Sequence, residues 1–251
     1  ELVELMDKLI YGNSCIKSAF DMAFYDIASQ NAGLPLYRYL GGNNNKKIIT
    51  DYTVSYNEAT KMAEDAVKIV ANGFSIVKVK LGGSHADDVM RIRKIREAIG
   101  NDIPLRIDAN QGWKSNEAVA ILNDLKEFNI QHCEEPISRN EFMQLPHIRA
   151  NSPIPIMADE SCYSVHDAKR LIDLKACDLF NIKLSKTGGI YHALKIIKLA
   201  EDAGIKMQMG GFLESRLGFT AAAHFSLVSD NIIYFDFDTP LMFEEDPVEG
   251  G

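Results

Sequence analysis

The sequence predicts a TIM-type α/β barrel of parallel strands, modified to the form (β/α)7β. From residue 48 onward, eight short runs rich in β-branched and aromatic residues alternate with longer segments of helical period. The chain has 251 residues, a length that one α/β barrel routinely fills. Eight strands with seven intervening helices in about 190 residues favour a closed barrel over an open, doubly wound sheet.

Each strand is predicted from a short run bounded by turn signals. The predicted bounds are 48–55, 75–80, 104–108, 130–134, 155–159, 178–183, 206–210 and 232–238. The helices between them have predicted N-caps at Ser84, Ser115 and Ser164, and Ser164 is expected to form a capping box with Asp167. Glycines stand where helices should stop, at Gly73, Gly100 and Gly204.

The segment before the first strand is predicted to be helical. Residues 13–30 form one amphipathic stretch, and no repeat, low-complexity tract or linker marks a second domain. We therefore expect residues 1–47 to be a helical lead-in and residues 48–251 to be the barrel.

Composition excludes several classes of partner. Lys plus Arg total 27 against 35 for Asp plus Glu, a net charge of −8 with no basic cluster, so nucleic acid is not an expected partner. The apolar runs are too short for a membrane span, and the first residues do not resemble a signal peptide. The four cysteines have no C-x-x-C spacing, which predicts a reducing, cytoplasmic setting.

Three consecutive predicted strands end in carboxylates, Asp108, Glu134 and Asp159. In a barrel of this kind, catalytic groups come from the carboxyl ends of the strands. Converging carboxylates repel one another unless a cation lies between them, and oxygen ligands on rigid strands suit Mg²⁺. Any one of these acids could instead cap a helix, but three at matched depth favour a metal site.

Lysines end the strands on either side of this group. Lys78 and Lys80 are two residues apart on strand 2, so their side chains share a face, while Lys183 ends strand 6. In a ring of eight strands, strands 2 and 6 lie opposite each other. A lysine inside a barrel needs a partner or a role, and burial beside a cation makes its amine a candidate general base. Alternating lysines on an exposed edge strand are the other interpretation.

The order of five motifs resembles a known family. K-V-K, R-I-D-A-N-Q-G-W, E-E-P, A-D-E-S and N-I-K-L-S-K-T-G-G follow one another, with separations of 26, 25 and 24 residues from Asp108 through Glu134 and Asp159 to Lys183. Over residues 13–251 the sequence resembles the muconate-lactonizing subgroup of the enolase superfamily. The resemblance implies one Mg²⁺ per subunit, replaceable by Mn²⁺, on those three carboxylates. It also implies an N-terminal capping domain, of which residues 1–47 would hold only the junction.

The same resemblance implies roles for other residues. Lys80 and Lys183 would act as acid and base across the substrate, and Lys78 would help to neutralise the substrate carboxylate. Removing a proton beside a carboxylate builds an enediolate, which a divalent cation and ammonium groups stabilise. Asn110, Glu135 and Glu160 would support the metal ligands or cap helices, and Thr53 falls where the family has a threonine near the substrate.

The F-D-F-D-T-P segment narrows the expected substrate. Asp236 and Asp238 are two residues apart on predicted strand 8, so their carboxylates share a face and could hold a cationic group. This D-x-D resembles that of the dipeptide epimerases, in which it binds the α-ammonium of a dipeptide. The resemblance then implies epimerisation of a dipeptide by 1,1-proton transfer. A cycloisomerase, an o-succinylbenzoate synthase, an N-acylamino acid racemase or a pair of loop-capping acids are the alternatives.

Three further interpretations compete with this one. A histidine-based metallohydrolase is disfavoured because the six histidines show neither H-x-H nor H-E-x-x-H spacing, and His132 is expected to be packed. A Schiff-base aldolase using Lys183 and a non-catalytic metal-binding scaffold stay open. Self-association into a homo-oligomer is also expected.

Overall fold

The computed structural model describes residues 2–250 of the chain. The described helices are α1 (Leu2–Leu9), α2 (Ser14–Asn31), α3 (Leu36–Tyr39), α4 (Ala59–Ala71), α5 (His85–Ile99), α6 (Ser115–Asp124), α7 (Leu145–Asn151), α8 (Val165–Asp173), α9 (Leu184–Thr187), α10 (Ile190–Asp202) and α11 (Arg216–Ser226). The described strands are β1 (Tyr52–Val54), β2 (Val77–Lys80), β3 (Leu105–Asp108), β4 (Ile130–Glu134), β5 (Ile156–Ala158), β6 (Leu179–Ile182), β7 (Lys206–Met209) and β8 (Ile232–Phe235). All eight predicted strands are confirmed, each at or within its predicted bounds.

The described chain forms two compact units. Unit A comprises residues 50–162 and 170–180, and unit B comprises residues 2–49, 163–169 and 181–250. Within each unit, strands that follow one another in the sequence are neighbours in the sheet and run parallel. The predicted alternation of strand and helix is therefore confirmed in both units.

The register of unit A places charged residues side by side. Lys80 pairs with Asp108 across β2 and β3, and Asp108 pairs with Glu134 across β3 and β4. Partners in a parallel ladder point to the same face, whereas residues one position away point to the other. Val79 and Ile107 occupy such alternate positions and are fully buried. One face of the sheet is therefore apolar, and the other carries the charged strand ends.

Local capping signals explain where α5 begins and ends. The Ser84 side chain accepts a hydrogen bond from the Asp87 backbone N–H, as predicted for an N-cap. Gly100, with φ of 77°, ends the helix in a conformation that favours glycine. Between them, Ile92 and Ile95 are fully buried, so the helix is stabilised by packing as well as by its caps.

The other two predicted serine caps differ in outcome. Ser164 and Asp167 form the expected reciprocal bonds, in which each side chain accepts from the other residue's backbone N–H. Ser115 is instead the first helical residue of α6, and Lys114 is the N-cap without a side-chain bond. The predicted cap at Ser115 is therefore wrong by one residue, an offset that capping propensity alone does not resolve.

Unit B contains the N-terminal helices and the last strands. The helix predicted over residues 13–30 is α2, Ser14–Asn31. The end of β6 pairs with the residue after β7, because the Gly210 N–H donates to the Ile182 carbonyl oxygen over 2.9 Å. β7 then pairs with β8, with Met207 opposite Ile232. Among the described residues, no helix combines the length and apolarity that crossing a membrane requires.

A buried carboxylate, Glu135, organises the turn after β5. Its side chain accepts the backbone N–H of Asp159 at 2.7 Å and that of Ser161 at 3.1 Å, and it also accepts the Ser161 hydroxyl. Burial raises the pKa of Glu135 to about 7, although these hydrogen bonds favour the charged form. Glu135 therefore connects the end of β4 to the segment that follows β5.

An ion pair lies within unit A. Arg106 on β3 donates to Asp51 over 2.8 Å and to the Gln131 side chain over 2.9 Å. The Arg106 and Asp51 side chains are only 2% and 0% exposed, so neither charge is screened by solvent. Each charge contributes to compensating the other.

Arg106→Met is expected to lower the free energy of unfolding by about 3–5 kcal/mol, because the buried Asp51 would lose the guanidinium that pairs with it. Denaturant unfolding followed by circular dichroism measures this change. Arg149→Met is the control: it removes a half-exposed pair with Asp178 and should cost about 1 kcal/mol or less. Equal losses in the two variants would contradict the argument.

Glu135→Gln is expected to change how stability depends on pH. The pKa of Glu135 is about 7 in the folded state and near 4.5 without the fold, so the folded state retains a proton that the unfolded state loses. The contribution is therefore present below about pH 4.5 and is lost as the pH rises through about 7. Over that range, the parent should lose up to about 3 kcal/mol relative to Glu135→Gln.

Denaturant unfolding of both proteins in metal-free buffer between pH 5 and pH 8 measures this difference. The exposed Glu127 provides the control, because Glu127→Gln should give a difference from the parent that does not vary with pH. A pH-independent difference for Glu135→Gln would show that its carboxyl group titrates normally.

Candidate active site

The predicted metal ligands follow one another along the sheet of unit A. Asp108 and Glu134 are the last residues of β3 and β4 and are register partners. Asp159 follows β5 by one residue and lies two positions beyond Met157, the register partner of Glu134. Since β5 ends at Ala158, Asp159 lies directly past the carboxyl end of that strand, at the same edge of the sheet as Glu134. All three carboxylates are at most 1% exposed.

Lys78 lies between two of these carboxylates. Its Nζ atom is 2.8 Å from Glu134 Oε2 and 3.2 Å from Asp108 Oδ2. The Lys78 side chain is 1% exposed, so burial of its charge requires this compensation. The alternative of a lysine on an exposed edge strand is wrong for Lys78.

Lys80 makes a single, more accessible contact with the same group. Its Nζ atom lies 2.7 Å from Asp108 Oδ2, and its side chain is 30% exposed. Burial alone would raise the pKa of Asp108, but the charges of Lys78 and Lys80 outweigh it and hold this pKa below its usual range. Asp108 is therefore a carboxylate at neutral pH, and Lys80 is the lysine of the pair that a substrate could reach.

The donor set fits a hard divalent cation. The negative charge of Asp159 acts to raise the pKa of Asp108, against the effect of the two lysines. Three acidic side chains, Asp108, Glu134 and Asp159, lie beside two lysines, Lys78 and Lys80, so acids outnumber bases in this group. Oxygen ligands without sulfur or imidazole are typical of Mg²⁺ and Mn²⁺. These residues could hold the expected ion.

The predicted supporting residues lie beside the carboxylates. Asn110 has a left-handed φ of 43°, and its backbone N–H donates to Asp108 Oδ1 over 2.9 Å. Glu135, also left-handed with φ of 34°, holds the Asp159 backbone. Glu160 is half-buried, and its negative charge acts on Glu135. Thr53 on β1 is the register partner of Lys78.

Sequence analysis did not identify Asp88, which organises the loops after β2 and β3. Asp88 Oδ2 accepts the Gly82 and Gly83 backbone N–H groups, both at 2.9 Å, and the Trp113 indole N–H at 2.8 Å. Gly82 is needed here, because its φ is +113° and a Cβ would lie 2.5 Å from the Ala109 carbonyl oxygen. The paired glycines directly after K-V-K were the available signal for this close approach.

In unit B, Lys183 follows β6 directly and is the N-cap residue of α9. It is 6% exposed, and its Nζ atom lies 4.7 Å from the centroid of the Phe212 ring. That distance is within the range of a cation–π interaction. Phe212 is a second residue that sequence analysis missed, because it lies in a loop about thirty residues away.

Asp236 and Asp238 also belong to unit B, but β8 ends at Phe235, before both residues. The prediction that they share a face of strand 8 is therefore wrong, since Asp238 adopts helical angles of φ −84° and ψ −23°. Both residues are nevertheless buried, at 7% and 0% exposure. One carboxylate oxygen of Asp236 lies within 4.8 Å of one carboxylate oxygen of Asp238. The two acids converge through the turn after the strand rather than through strand alternation.

Comparison with known proteins identifies the family to which the chain belongs. Residues 61–250 match the family model described as Enolase C-terminal domain-like. The D-Ala-D/L-Ala epimerase of Cytophaga hutchinsonii is 65% identical over 98% of this chain and 67% of its own length. The L-Ala-D/L-Glu epimerase of Clostridium acetobutylicum is 43% identical over 98% of this chain and 69% of its own length. The chain thus spans about two thirds of the length of these relatives.

A solved structure shows the same fold. The dipeptide epimerase from Cytophaga hutchinsonii, complexed with Mg and the dipeptide D-Ala-L-Val, superimposes with a TM-score of 0.98 at 64% identity, over 99% of this chain and 68% of that chain. The predicted α/β barrel class is therefore confirmed. The chain belongs to the enolase C-terminal domain-like family of the enolase superfamily.

Proposed function

We propose that this chain carries the catalytic site of a Mg²⁺-dependent dipeptide epimerase. The observation that carries the proposal is the row of register partners Lys80, Asp108 and Glu134 at the strand ends, with the buried Lys78 between the two carboxylates. A row of acids with adjacent amines provides both a cation site and a proton acceptor. Relatives named as dipeptide epimerases, one solved with Mg and a dipeptide, support the same assignment.

The proposed reaction is a 1,1-proton transfer at the carbon beside the substrate carboxylate. The neutral amine of one lysine, Lys80 or Lys183, takes the proton as the C–H bond breaks, and the electron pair moves onto the carboxylate to give an enediolate. The ammonium group of the other lysine then donates a proton to the opposite face. Asp108, Glu134 and Asp159 would hold Mg²⁺, which would supply positive charge that favours this dianion.

The contacts of unit A suggest separate tasks for its two lysines. Lys78 lies between Asp108 and Glu134, where its ammonium group stabilises the two carboxylates electrostatically. Lys80 is more exposed, and its Nζ atom contacts the carboxylate of Asp108. We assign proton transfer to Lys80 and charge compensation, extended to the substrate carboxylate, to Lys78. Thr53, beside Lys78 in the register, completes this side of the proposed substrate site.

The convergent acids of unit B supply the proposed specificity. Asp236 and Asp238 are buried with carboxylate oxygens within 4.8 Å of one another. A dipeptide ammonium is a compact cation that can donate hydrogen bonds to both acids, which would compensate their charge when the site closes. A cycloisomerase or o-succinylbenzoate synthase substrate has no ammonium group to fill this role. An N-acylated amino acid also lacks it.

The cellular setting and the oligomeric state are two further parts of the proposal. All four cysteines are free thiols, and three of them are buried, which fits the proposed reducing, cytoplasmic setting. Association into a homo-oligomer is the second, and size-exclusion chromatography with light scattering tests it directly.

Deuterium incorporation tests the proposed function. The full-length protein that contains this sequence is incubated with a panel of dipeptides in ²H₂O, with Mg²⁺ or with a chelator. Mass spectrometry should detect one deuterium at the carbon beside the carboxylate together with inversion, and only with Mg²⁺. Failure to exchange any dipeptide, while an N-acylamino acid or a muconate is converted, would overturn the proposal.

Lys80→Ala and Lys183→Ala are each expected to abolish epimerisation, because inversion requires a base on each face. Each variant should still exchange the α-proton of one stereoisomer, and the two variants should retain opposite isomers. Nuclear magnetic resonance of the separate isomers in ²H₂O measures this exchange. The exposed Lys126 gives the control, since Lys126→Ala should exchange both isomers at the parental rate. Parental epimerisation by both active-site variants would contradict the two-base assignment.

Asp236→Asn and Asp238→Asn are each expected to lower kcat/KM for dipeptides by about tenfold or more, which corresponds to about 1.4 kcal/mol. The reason is the loss of a charged acceptor for the substrate ammonium. For the same reason, N-acetylated dipeptides should be poor substrates of the parent protein. Steady-state kinetics with matched free and acetylated dipeptides measures both effects.

The exposed Asp230, two residues before β8, offers a matched control for this test. Asp230→Asn should keep the parental kcat/KM for free dipeptides. Equal processing of acetylated and free dipeptides by the parent would show that the ammonium is not recognised, and would favour an N-acylamino acid racemase.

A further inference from the structure

The contact between Lys183 and Phe212 points to a positioning residue for the proposed reaction. The Lys183 Nζ atom lies over the Phe212 ring, 4.7 Å from its centroid. We propose that Phe212 orients the Lys183 amine for proton transfer, and so controls activity toward the stereoisomer that Lys183 serves. This inference rests on the proposed function, in which Lys183 is one of two bases.

A lysine that acts as a base needs such an orienting contact. Its ammonium stands on a flexible four-carbon stem, so the backbone position alone does not fix where the amine points. Lys183 has an extended backbone, with φ of −128° and ψ of 122°, directly before α9. The face of an aromatic ring attracts a cation along the ring axis. The Phe212 ring therefore favours one direction for the Lys183 ammonium group, which is the form that donates a proton and the form that results when the amine has taken one.

Backbone hydrogen bonds hold Phe212 in place. Its side chain is 37% exposed, so packing alone does not determine where the ring lies. The Phe212 N–H donates to Glu214 Oε1 over 3.0 Å, and the Phe212 carbonyl oxygen accepts from the Thr239 hydroxyl over 2.9 Å. Both polar groups of this loop residue's backbone are engaged, which is a stronger constraint than an exposed loop usually has.

Glu214 ties the loop to the segment that carries the lysine. The same Oε1 atom that accepts the Phe212 N–H also accepts the Ser185 hydroxyl over 2.8 Å. Ser185 lies two residues after Lys183, in α9. On the other side of the loop, a Cβ on Gly211 would lie 2.5 Å from the Phe219 ring, so the backbone packs closely there. One carboxylate thus joins the backbone of Phe212 to the helix that directly follows Lys183.

The second backbone anchor connects the loop to the convergent acids. Thr239, which holds the Phe212 carbonyl oxygen, directly follows Asp238 in the chain. The loop around Phe212 therefore bridges the proposed base and the proposed ammonium site within unit B. A displacement of Phe212 would alter the direction of the amine relative to a bound dipeptide.

Measuring α-proton exchange separately for each stereoisomer shows whether the Phe212 ring orients the Lys183 amine or only shields the site. If the ring only shields the site as a whole from water, its loss should slow exchange of both stereoisomers alike. If it orients the amine, Phe212→Leu should slow α-proton exchange by about tenfold only for the isomer that Lys183→Ala fails to exchange. The other isomer should stay within about twofold of the parent, and Phe212→Tyr, which keeps the ring, should restore both rates. Phe212→Met replaces the leucine variant if the latter does not fold.

A second measurement needs neither Mg²⁺ nor substrate. Reductive methylation followed by mass spectrometry reports the reactivity of each lysine amine. Phe212→Leu should increase labelling of Lys183, because the amine loses its ring contact. Lys195, whose Nζ atom lies 3.9 Å from the Tyr191 ring centroid, gives the matched control. Tyr191→Leu should change labelling at Lys195 while both exchange rates stay parental.

The outcomes separate the orienting role of Phe212 from the assignment of two lysine bases. Equal slowing of both isomers by Phe212→Leu, or parental rates for both together with unchanged labelling of Lys183, would overturn the role of Phe212. If the parent exchanges dipeptides but Lys183→Ala shows no isomer preference, the two-base assignment fails instead. The labelling result still decides in that case whether the ring controls the amine.

Discussion

The buried ammonium of Lys78 is the interaction on which the described site depends. It lies within hydrogen-bonding distance of Glu134 and 3.2 Å from Asp108, and all three side chains are at most 1% exposed. Without it, two carboxylates buried side by side would repel each other and one would take up a proton. With it, Asp108 keeps a pKa below its usual range and remains available as a charged oxygen ligand. The same compensation leaves Lys80 accessible for chemistry.

Hydrogen bonds to two further buried carboxylates hold the loops that carry these charged residues. Asp88 gathers the loops after β2 and β3, and Glu135 gathers the segment that contains Asp159. Both are buried carboxylates that accept several N–H groups, so each replaces water at a turn that carries site residues. In unit B, Glu214 likewise accepts hydrogen bonds from the Phe212 N–H and from the Ser185 hydroxyl, which lies in the segment after Lys183. Acids that touch no substrate thus determine where the proposed catalytic groups point.

Much of the fold and part of the site could be predicted from local patterns. The strand runs, the α5 cap at Ser84 and the Ser164 capping box are local features, and all are confirmed. The ends of helices and strands are harder to predict. The start of α6 and the end of β8 depend on one or two residues, and sequence propensity does not determine their backbone angles. For that reason Asp238 was expected on a strand and is found in a turn with helical angles.

The sequence by itself determined the class of chemistry. The alternation of elements and the acids and lysines at strand ends identify a parallel α/β protein with a site for a hard cation, because strand period and strand-end position are local properties. Only the tertiary structure decided which groups touch: Lys78 with Glu134, Glu135 with Ser161, and Phe212 with Lys183. These partners are separated by 56, 26 and 29 positions, and such contacts follow from register and from turns such as the left-handed Glu135. No local preference encodes them.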